Sequence, residues 1–187
     1  MFASTCITTL STTNLPNITY IPSNAFAKCS SLLTVDLPNI TTISSGAFAN
    51  CSKVTSISIP NCTTIEDYAF NSCTELTSIT VLNDSLTLCE FCYCSSLSYV
   101  AAPNCTYIAN SVFYSCPALG ILDFTGVQSI PQLTSTNAFV ITPISGSSYL
   151  GRFGSIYVPA SLYSDWITTT NWTVYSSRIT SEPIPVL

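Results

Sequence analysis

Residues 24–39 read NAFAKCSSLLTVDLPN, and residues 46–61 read GAFANCSKVTSISIPN. The second stretch repeats the first, position for position. Working outward, Phe26, Phe48, Phe70, Phe91 and Phe113 are spaced 22, 22, 21 and 22 residues apart, and Cys29, Cys51, Cys73, Cys94 and Cys116 keep the same intervals. Three residues after each Cys stands Leu32, Val54, Leu76, Leu97 or Leu119. Alternating pairs follow: Val35/Leu37, Ile57/Ile59, Ile79/Val81, Val100/Ala102 and Leu122/Phe124. A further apolar anchor lies five residues before each Phe, at Ile21, Ile43, Ile65, Leu86 and Ile108. Agreement of five registers at one period means a repeat architecture.

A single unit has a plain physical reading. The alternation in LLTVDL is that of a strand with one buried face. Proline cannot donate to a ladder, so Pro38, Pro60 and Pro103 mark where three of these strands stop. About 22 residues leave no room for a long helix. The unit is therefore one coil: a strand, a turn, an extended or 3₁₀ return carrying the Ile and Phe anchors, and another turn. One coil cannot bury its apolar side alone, so coils stack, Phe on Phe and Leu on Leu, with their strands forming a parallel sheet.

The pattern Ala-Phe-x-x-Cys-x-x-Leu-x-x-Ile-x-Ile-Pro-x-x-x-x-x-Ile resembles the bacterial-surface (BspA-like, Treponema-type) leucine-rich repeats. Residues 15–125 match it closely, and a weaker half copy, FASTCITTLSTTNLP, occupies residues 2–16. The stretch SIYVPASLYSDWITTTNWTVYSSRIT, residues 155–180, resembles the closing segment of such arrays in secreted bacterial and phage-encoded proteins. The resemblance implies a leucine-rich repeat solenoid with a sheet on one face, and recognition of diverse partners. We expect residues 1–125 to form the solenoid, about five full coils plus an N-terminal half coil. Residues 126–187 should form an irregular last coil and a cap. In the cap, Ile156 and Val158 are expected to be buried. Ser161 is expected to cap a short helix over residues 162–169 that places Leu162 and Trp166 on one face. The chain opens inside a repeat with no polar capping unit, so the N-terminal coil is expected to pack on another domain or subunit, or the chain to be the distal piece of a larger protein.

Composition narrows the partners. Hydrophobic residues make up 47% and charged residues 7%, against about 25% charged in ordinary domains. Ser and Thr supply the polar surface instead. The basic residues are Lys28, Lys53, Arg152 and Arg178, and the net charge is −5. Phosphate neutralisation needs clustered Lys and Arg, so nucleic acid and anionic membranes are poor partners. No apolar run reaches the length of about 18 residues that membrane spanning requires. MFASTCITTL lacks the basic n-region and long apolar h-region of a signal peptide.

The chemistry expected of an enzyme is thin. Histidine, the commonest acid–base group, is absent. Asp36 and Asp123 fall on outward strand positions four coils apart, roughly 19 Å at the sheet spacing, beyond the roughly 5–9.5 Å of glycosidase carboxylates. No phosphate-binding loop, cofactor motif or four-ligand metal set is present, and no cofactor is expected.

Ten cysteines invite a disulfide framework. The shared register opposes it, because stacked residues keep parallel Cβ vectors, whereas a disulfide needs converging ones. Cys29, Cys51, Cys73, Cys94 and Cys116 are expected to form a ladder of buried thiols acting as small hydrophobes. Cys62 and Cys105 share a second register that Ile18 and Ile40 hold elsewhere, again a core position. Cys89 and Cys92 fall outside both ladders, and two states stay open for them: a disulfide or free thiols. Asn17, Asn39, Asn61, Asn83 and Asn104 each begin a glycosylation sequon. We read them as turn residues whose side chains bond the local backbone.

Two functions fit. The first is a non-catalytic recognition or adhesion module, extracellular, on a bacterial surface or a phage virion, binding a protein or glycan through its sheet. The second is a structural spacer, subunit or decoration protein of such an assembly. The candidate binding residues are the outward strand positions Thr34, Asp36, Ser58, Thr80, Tyr99, Ile121, Asp123 and Tyr157. Ser and Thr contribute little binding energy, and hot spots favour large residues. Tyr99, Ile121 and Tyr157 therefore lead, unless the loop from Ser145 to Gly154 folds over them.

Overall fold

The computed structural model describes residues 7–13, 15, 17–145 and 153–186. Cys6, Arg152, most of the N-terminal half copy before Ile7 and most of the Ser145–Gly154 loop lie outside them. The described residues wind as a solenoid of six coils, each with three sides.

The first side carries three-residue strands: β1 (Thr9–Ser11), β3 (Thr34–Asp36), β5 (Ser56–Ser58), β7 (Ser78–Thr80), β9 (Tyr99–Ala101) and β11 (Ile121–Asp123). All pairing is parallel, and the central apolar residues stack: Leu10 on Val35, Val35 on Ile57, Ile79 on Val100, Val100 on Leu122. We call this the strand face. The second side, expected as an extended or 3₁₀ return, is a second parallel sheet of two-residue strands. These are β2 (Tyr20–Ile21), β4 (Thr42–Ile43), β6 (Thr64–Ile65), β8 (Ser85–Leu86), β10 (Tyr107–Ile108) and β12 (Gln132–Leu133). Ile21, Ile43, Ile65, Leu86 and Ile108 are the anchors read from the sequence; they and Leu133, which the sequence reading missed, are all buried.

The third side is the Phe edge. Phe26, Phe48, Phe70, Phe91, Phe113 and Phe139 stack with centroids 5.5–5.7 Å apart and planes within 11°. Two residues before and two after each Phe, the backbone is left-handed in most coils: Asn24 and Lys28, Gly46 and Asn50, Tyr68 and Ser72, Cys89 and Tyr93, Ser111 and Ser115. This turns alternate N–H groups along the stack. Phe26, Phe48, Phe70, Phe91 and Phe113 each donate to a carbonyl of the next coil. Gly46 is required at its position, because a Cβ there would lie 2.6 Å from Asn24 Oδ1. Elsewhere L-residues carry the strain of the left-handed conformation, held by the ladder.

The cysteine ladder is buried as expected, and it has a polar role that the register did not reveal. Cys51, Cys73, Cys94 and Cys116 donate their S–H to the carbonyls of Phe26, Phe48, Phe70 and Phe91, at 3.0–3.3 Å. Burial pushes the Cys51 and Cys94 thiols up to about 12 and those of Cys73 and Cys116 upward as well. Cys62 and Cys105 are also free and buried. Of the two states open for Cys89 and Cys92, the disulfide is the one present.

Beyond coil six, β13 (Ser155–Tyr157) pairs with β11 and then with β14 (Ile179–Thr180). The capping helix is shorter than expected. A 3₁₀ turn, Ala160–Leu162, leads into α1 (Tyr163–Trp166), and no side chain, Ser161 included, caps either. Pro159 holds the N-cap position of the turn and offers no side-chain bond. Trp166, Trp172 and Tyr175 close over Phe124 and Phe139, with centroids 5.1–6.2 Å apart. Trp172 Nε1 donates to Pro131 O at 2.8 Å, and Tyr175 Oη to Thr136 O.

Candidate functional site: a parted strand face

The strand face is not one sheet. The strands order as β1-β3-β5 and, separately, β7-β9-β11-β13-β14. The return face divides at the same step, into β2-β4-β6 and β8-β10-β12. Coils three and four are thus unpaired along two sides, while the Phe edge continues between them. There Tyr68, Phe70 and Ser72 donate to the carbonyls of Leu88, Glu90 and Cys92, and Phe70 stacks on Phe91 at 5.6 Å.

The cause lies in coil four. From the strand centre to the return anchor its chain takes seven residues, Ile79 to Leu86, where Val35–Ile43, Ile57–Ile65 and Val100–Ile108 take eight. Its corner also has Leu82 where coils two, three and five have the Pro of a Pro-Asn pair. Elsewhere that Asn ties coils together: Asn61 Nδ2 donates to Pro38 O at 2.8 Å, and Asn104 Nδ2 to Leu82 O at 3.1 Å. These bonds correct the expectation of local turn chemistry, because they run between coils. The missing residue draws Asn83 into the register of Cys62 and Cys105. It is 2% exposed there, bonded locally to Ser85 O, with Oδ1 unpartnered.

A second polar group enters the core beside it. Glu90 takes the place held by Ala47 and Ala69, and is fully buried. Its Oε2 accepts from the Thr87 N–H at 2.9 Å and its Oε1 has no partner. In other coils the N–H equivalent to Thr87 donates to the preceding coil: Ser44 to Ile21 O, Glu66 to Ile43 O, Ala109 to Leu86 O. At the parted step only the Thr87 hydroxyl reaches Ile65 O, at 3.3 Å. Desolvation pushes the Glu90 carboxyl up to about 8, opposed by the Thr87 bonds and reinforced by Asp67.

The parting leaves a cavity on each face. On the strand face it is about 670 Å³, between Thr55–Pro60 and Thr77–Leu82, with Tyr99 at one rim. On the return face it is about 400 Å³, with Glu66, Asp67 and Asp84 among its walls. Two of those carboxylates bond backbone: Glu66 Oε2 accepts from Ser45 N and Asp67 Oδ1 from Leu88 N. Among the described residues, no group of three or more His, Cys, Asp or Glu is placed to hold a metal ion.

The parting also sorts the expected binding residues. Thr34, Asp36 and Ser58 lie on its N-terminal side. Asp36 and Ser58 are exposed neighbours in register, and the Thr34 hydroxyl bonds that of Thr9 at 3.3 Å. Thr80, Tyr99, Ile121, Asp123 and Tyr157 lie beyond it. Tyr99 Oη donates to Asp123 Oδ2 at 2.9 Å, and this diagonal crosses the square formed with Ala101 and Ile121. Tyr99 and Ile121 are therefore half-buried and Ala101 only 8% exposed. Burial and the Asp123 carboxylate push the Tyr99 phenol up to about 12. Tyr157 was expected among the large exposed residues; it is buried, in a strand flanked on both edges by β11 and β14. Ile57, expected inward, is half-exposed, whereas its counterparts Val35, Ile79, Val100 and Leu122 are at most 3% exposed. The cavity uncovers it. The signal for the parting stood in the sequence, in the single 21-residue interval and the missing Pro-Asn.

Residues 1–120 match the family described as BspA type leucine rich repeat region, in six copies. The chain belongs to this family. The array is similar to a Treponema pallidum leucine-rich repeat protein, at 25% identity and a TM-score of 0.52, over 56% of this chain and 51% of that one. It is similar also to a leucine rich cell surface protein of Faecalibacterium prausnitzii, at 28% identity and a TM-score of 0.57, over 80% of this chain and 38% of that one. The chain thus spans about half of one relative's length and less than half of the other's. No curated protein matches it. The leucine-rich repeat array contains, among its described residues, no helix long and apolar enough to cross a membrane.

Proposed function

We propose that this leucine-rich repeat array is a non-catalytic recognition module of an extracellular surface, bacterial or virion, that engages a protein or glycan through its strand face. The observation that carries the reading is the face itself. Parallel strands held by a continuous aromatic and thiol core present Asp36, Ser56, Ser58, Ser78 and Thr80 outward, all exposed. Solenoids use such rigid, extended surfaces for partners. The Faecalibacterium relative, named as a cell surface protein, supports the location.

The test is capture on immobilised protein of solubilised surface proteins and printed glycans, followed by rebinding of the identified ligand to variants. Ser58→Arg and Thr80→Arg on the strand face should each weaken binding about tenfold or more. Thr42→Arg, on the return face, should leave it unchanged. Equal loss from all three, with folding intact, would move the site off the strand face.

A further inference from the structure

We propose that the opening between β5 and β7 is a binding site for a neutral saccharide. The proposal deepens the strand-face reading and rests on it. Three observations coincide at this one step: the ladder is interrupted, an inward residue is uncovered, and a cavity of about 670 Å³ fills the space. That volume is within the range of small-ligand sites, about 300–1,000 Å³.

The lining selects the ligand class. It contains no charged side chain. The hydroxyls of Ser56, Ser58, Ser78 and Thr80 are exposed along it. The facing edges of β5 and β7 add backbone N–H and C=O groups that make no ladder bond with each other. This is a mixed field of donors and acceptors. Sugar hydroxyls donate and accept at once, so they match such a field where a purely accepting or purely donating ligand would not. Ile57 and the ring of Tyr99 give the weakly apolar contact that the C–H face of a pyranose uses.

Other occupants fit less well. A peptide strand inserted between β5 and β7 would need two strand spacings, roughly 9.6 Å, where one normally suffices. The Phe edge holds the same two coils together with Phe70 and Phe91 centroids 5.6 Å apart. An anion would find no cation in the lining and would meet Asp36, exposed beside Ser58 on the adjacent strand. A metal ion would find no carboxylate there.

The experiment uses the full chain and a panel of neutral di- and trisaccharides (cellobiose, maltotriose, mannobiose, chitobiose and N-acetyllactosamine), with sialylated N-acetyllactosamine as the charged control. Binding is read by calorimetry, and the footprint by amide hydrogen exchange. At least one neutral sugar should bind and slow exchange across 55–60 and 77–82. The charged control should not bind at this footprint. Ser78→Trp, which fills the opening, and Tyr99→Ala, which removes the ring, should each weaken binding about tenfold or more. Tyr99→Phe, which keeps the ring, should stay within about twofold. Binding by none of the neutral sugars overturns the proposal, as does a footprint elsewhere or affinity unchanged in both Ser78→Trp and Tyr99→Ala. If a partner is still captured through Ser58 and Thr80 while no sugar binds, only the saccharide site falls. If both fail, the strand-face reading falls with it.

Discussion

The step from coil two to coil three and the step from coil three to coil four are built on one sequence template, and they close differently. At the first, Val35 pairs with Ile57, Ile43 pairs with Ile65, Asn61 reaches Pro38 O, and the Glu66 N–H reaches Ile43 O. At the second, neither sheet pairs, no Asn follows Leu82 in the bridging position, because Asn83 has moved into the register of Cys62, and the Thr87 N–H has turned to Glu90. The Phe stack is the same at both, 5.7 and 5.6 Å. Stacking on one side thus sets the coil repeat without enforcing hydrogen bonding on the other two. One residue of corner length is enough to separate them.

The largest effect that sharpens this comparison comes from removing the shared edge. Phe48→Ala and Phe70→Ala should each cost about 3–5 kcal/mol, because neither void can collapse between stacked neighbours. Their denaturation profiles should differ. Phe48 lies at a step closed on three sides, so its variant should unfold in one transition. Phe70 belongs to the side that holds the parted step, so its variant should unfold in two, read by circular dichroism against urea. Single transitions of equal midpoint in both variants would mean that the two steps are equally coupled.

Repairing coil four is the converse experiment. Inserting Asn between Leu82 and Asn83, together with Leu82→Pro and Glu90→Ala, restores the template and frees the Thr87 N–H for Ile65 O. Removing a buried carboxyl with an unpartnered oxygen should stabilise by about 1–3 kcal/mol. Amides of 55–59 and 77–81 should move from fast to slow exchange. Unchanged exchange would show that the shortened corner is not the cause of the parting.

Glu90 gives the parted step a dependence on pH. Its carboxyl titrates near 4.5 when unfolded and about 8 when folded. Between those values the folded state holds a proton that the unfolded state has released, so stability falls as pH rises from about 4.5 to about 8 and levels off above. Beyond burial, the Thr87 bonds lower it and the Asp67 carboxylate raises it, while Glu90 in turn raises the Cys62 and Cys105 thiols. Glu90→Gln should flatten that slope in the urea midpoint. A slope equal to that of the wild type would assign it to other carboxylates. The smallest effect is expected at a closed step: Cys51→Ala removes one S–H bond and one sulfur, worth about 1 kcal/mol, with no change in the number of transitions.

Much of this was legible because identical coils must bury identical positions. The period, the Phe stack, the thiol register and the alternating strand residues all follow from that requirement. Departures from the template were harder to weigh. Asn83 looked like another rung of the Asn-x-Thr or Asn-x-Ser series, yet it sits one position out of register because its coil is shorter, and side-chain spacing alone does not say which segment absorbed the deletion. Tyr157 alternates outward as expected, but alternation carries no information on what packs over a face, and β14 arrives from 22 residues further on. The left-handed residues flanking each Phe were hidden for another reason. Only Gly46 among them is glycine; the inter-coil bonds hold the rest in a conformation their side chains do not favour.

The thiol ladder makes the folded and unfolded chains chemically different substances in an oxidising medium. While coiled, the seven buried thiols among the described residues are shielded from oxidant, so no reducing compartment is needed to preserve them. Once the coils separate, every one becomes a candidate for air oxidation or exchange with the Cys89–Cys92 disulfide. Cross-links formed then would hold residues that belong in one stack at distances the stack cannot accommodate. Refolding would be blocked. In such a setting the lifetime of the molecule is governed by how slowly it opens and not by how favourably it closes.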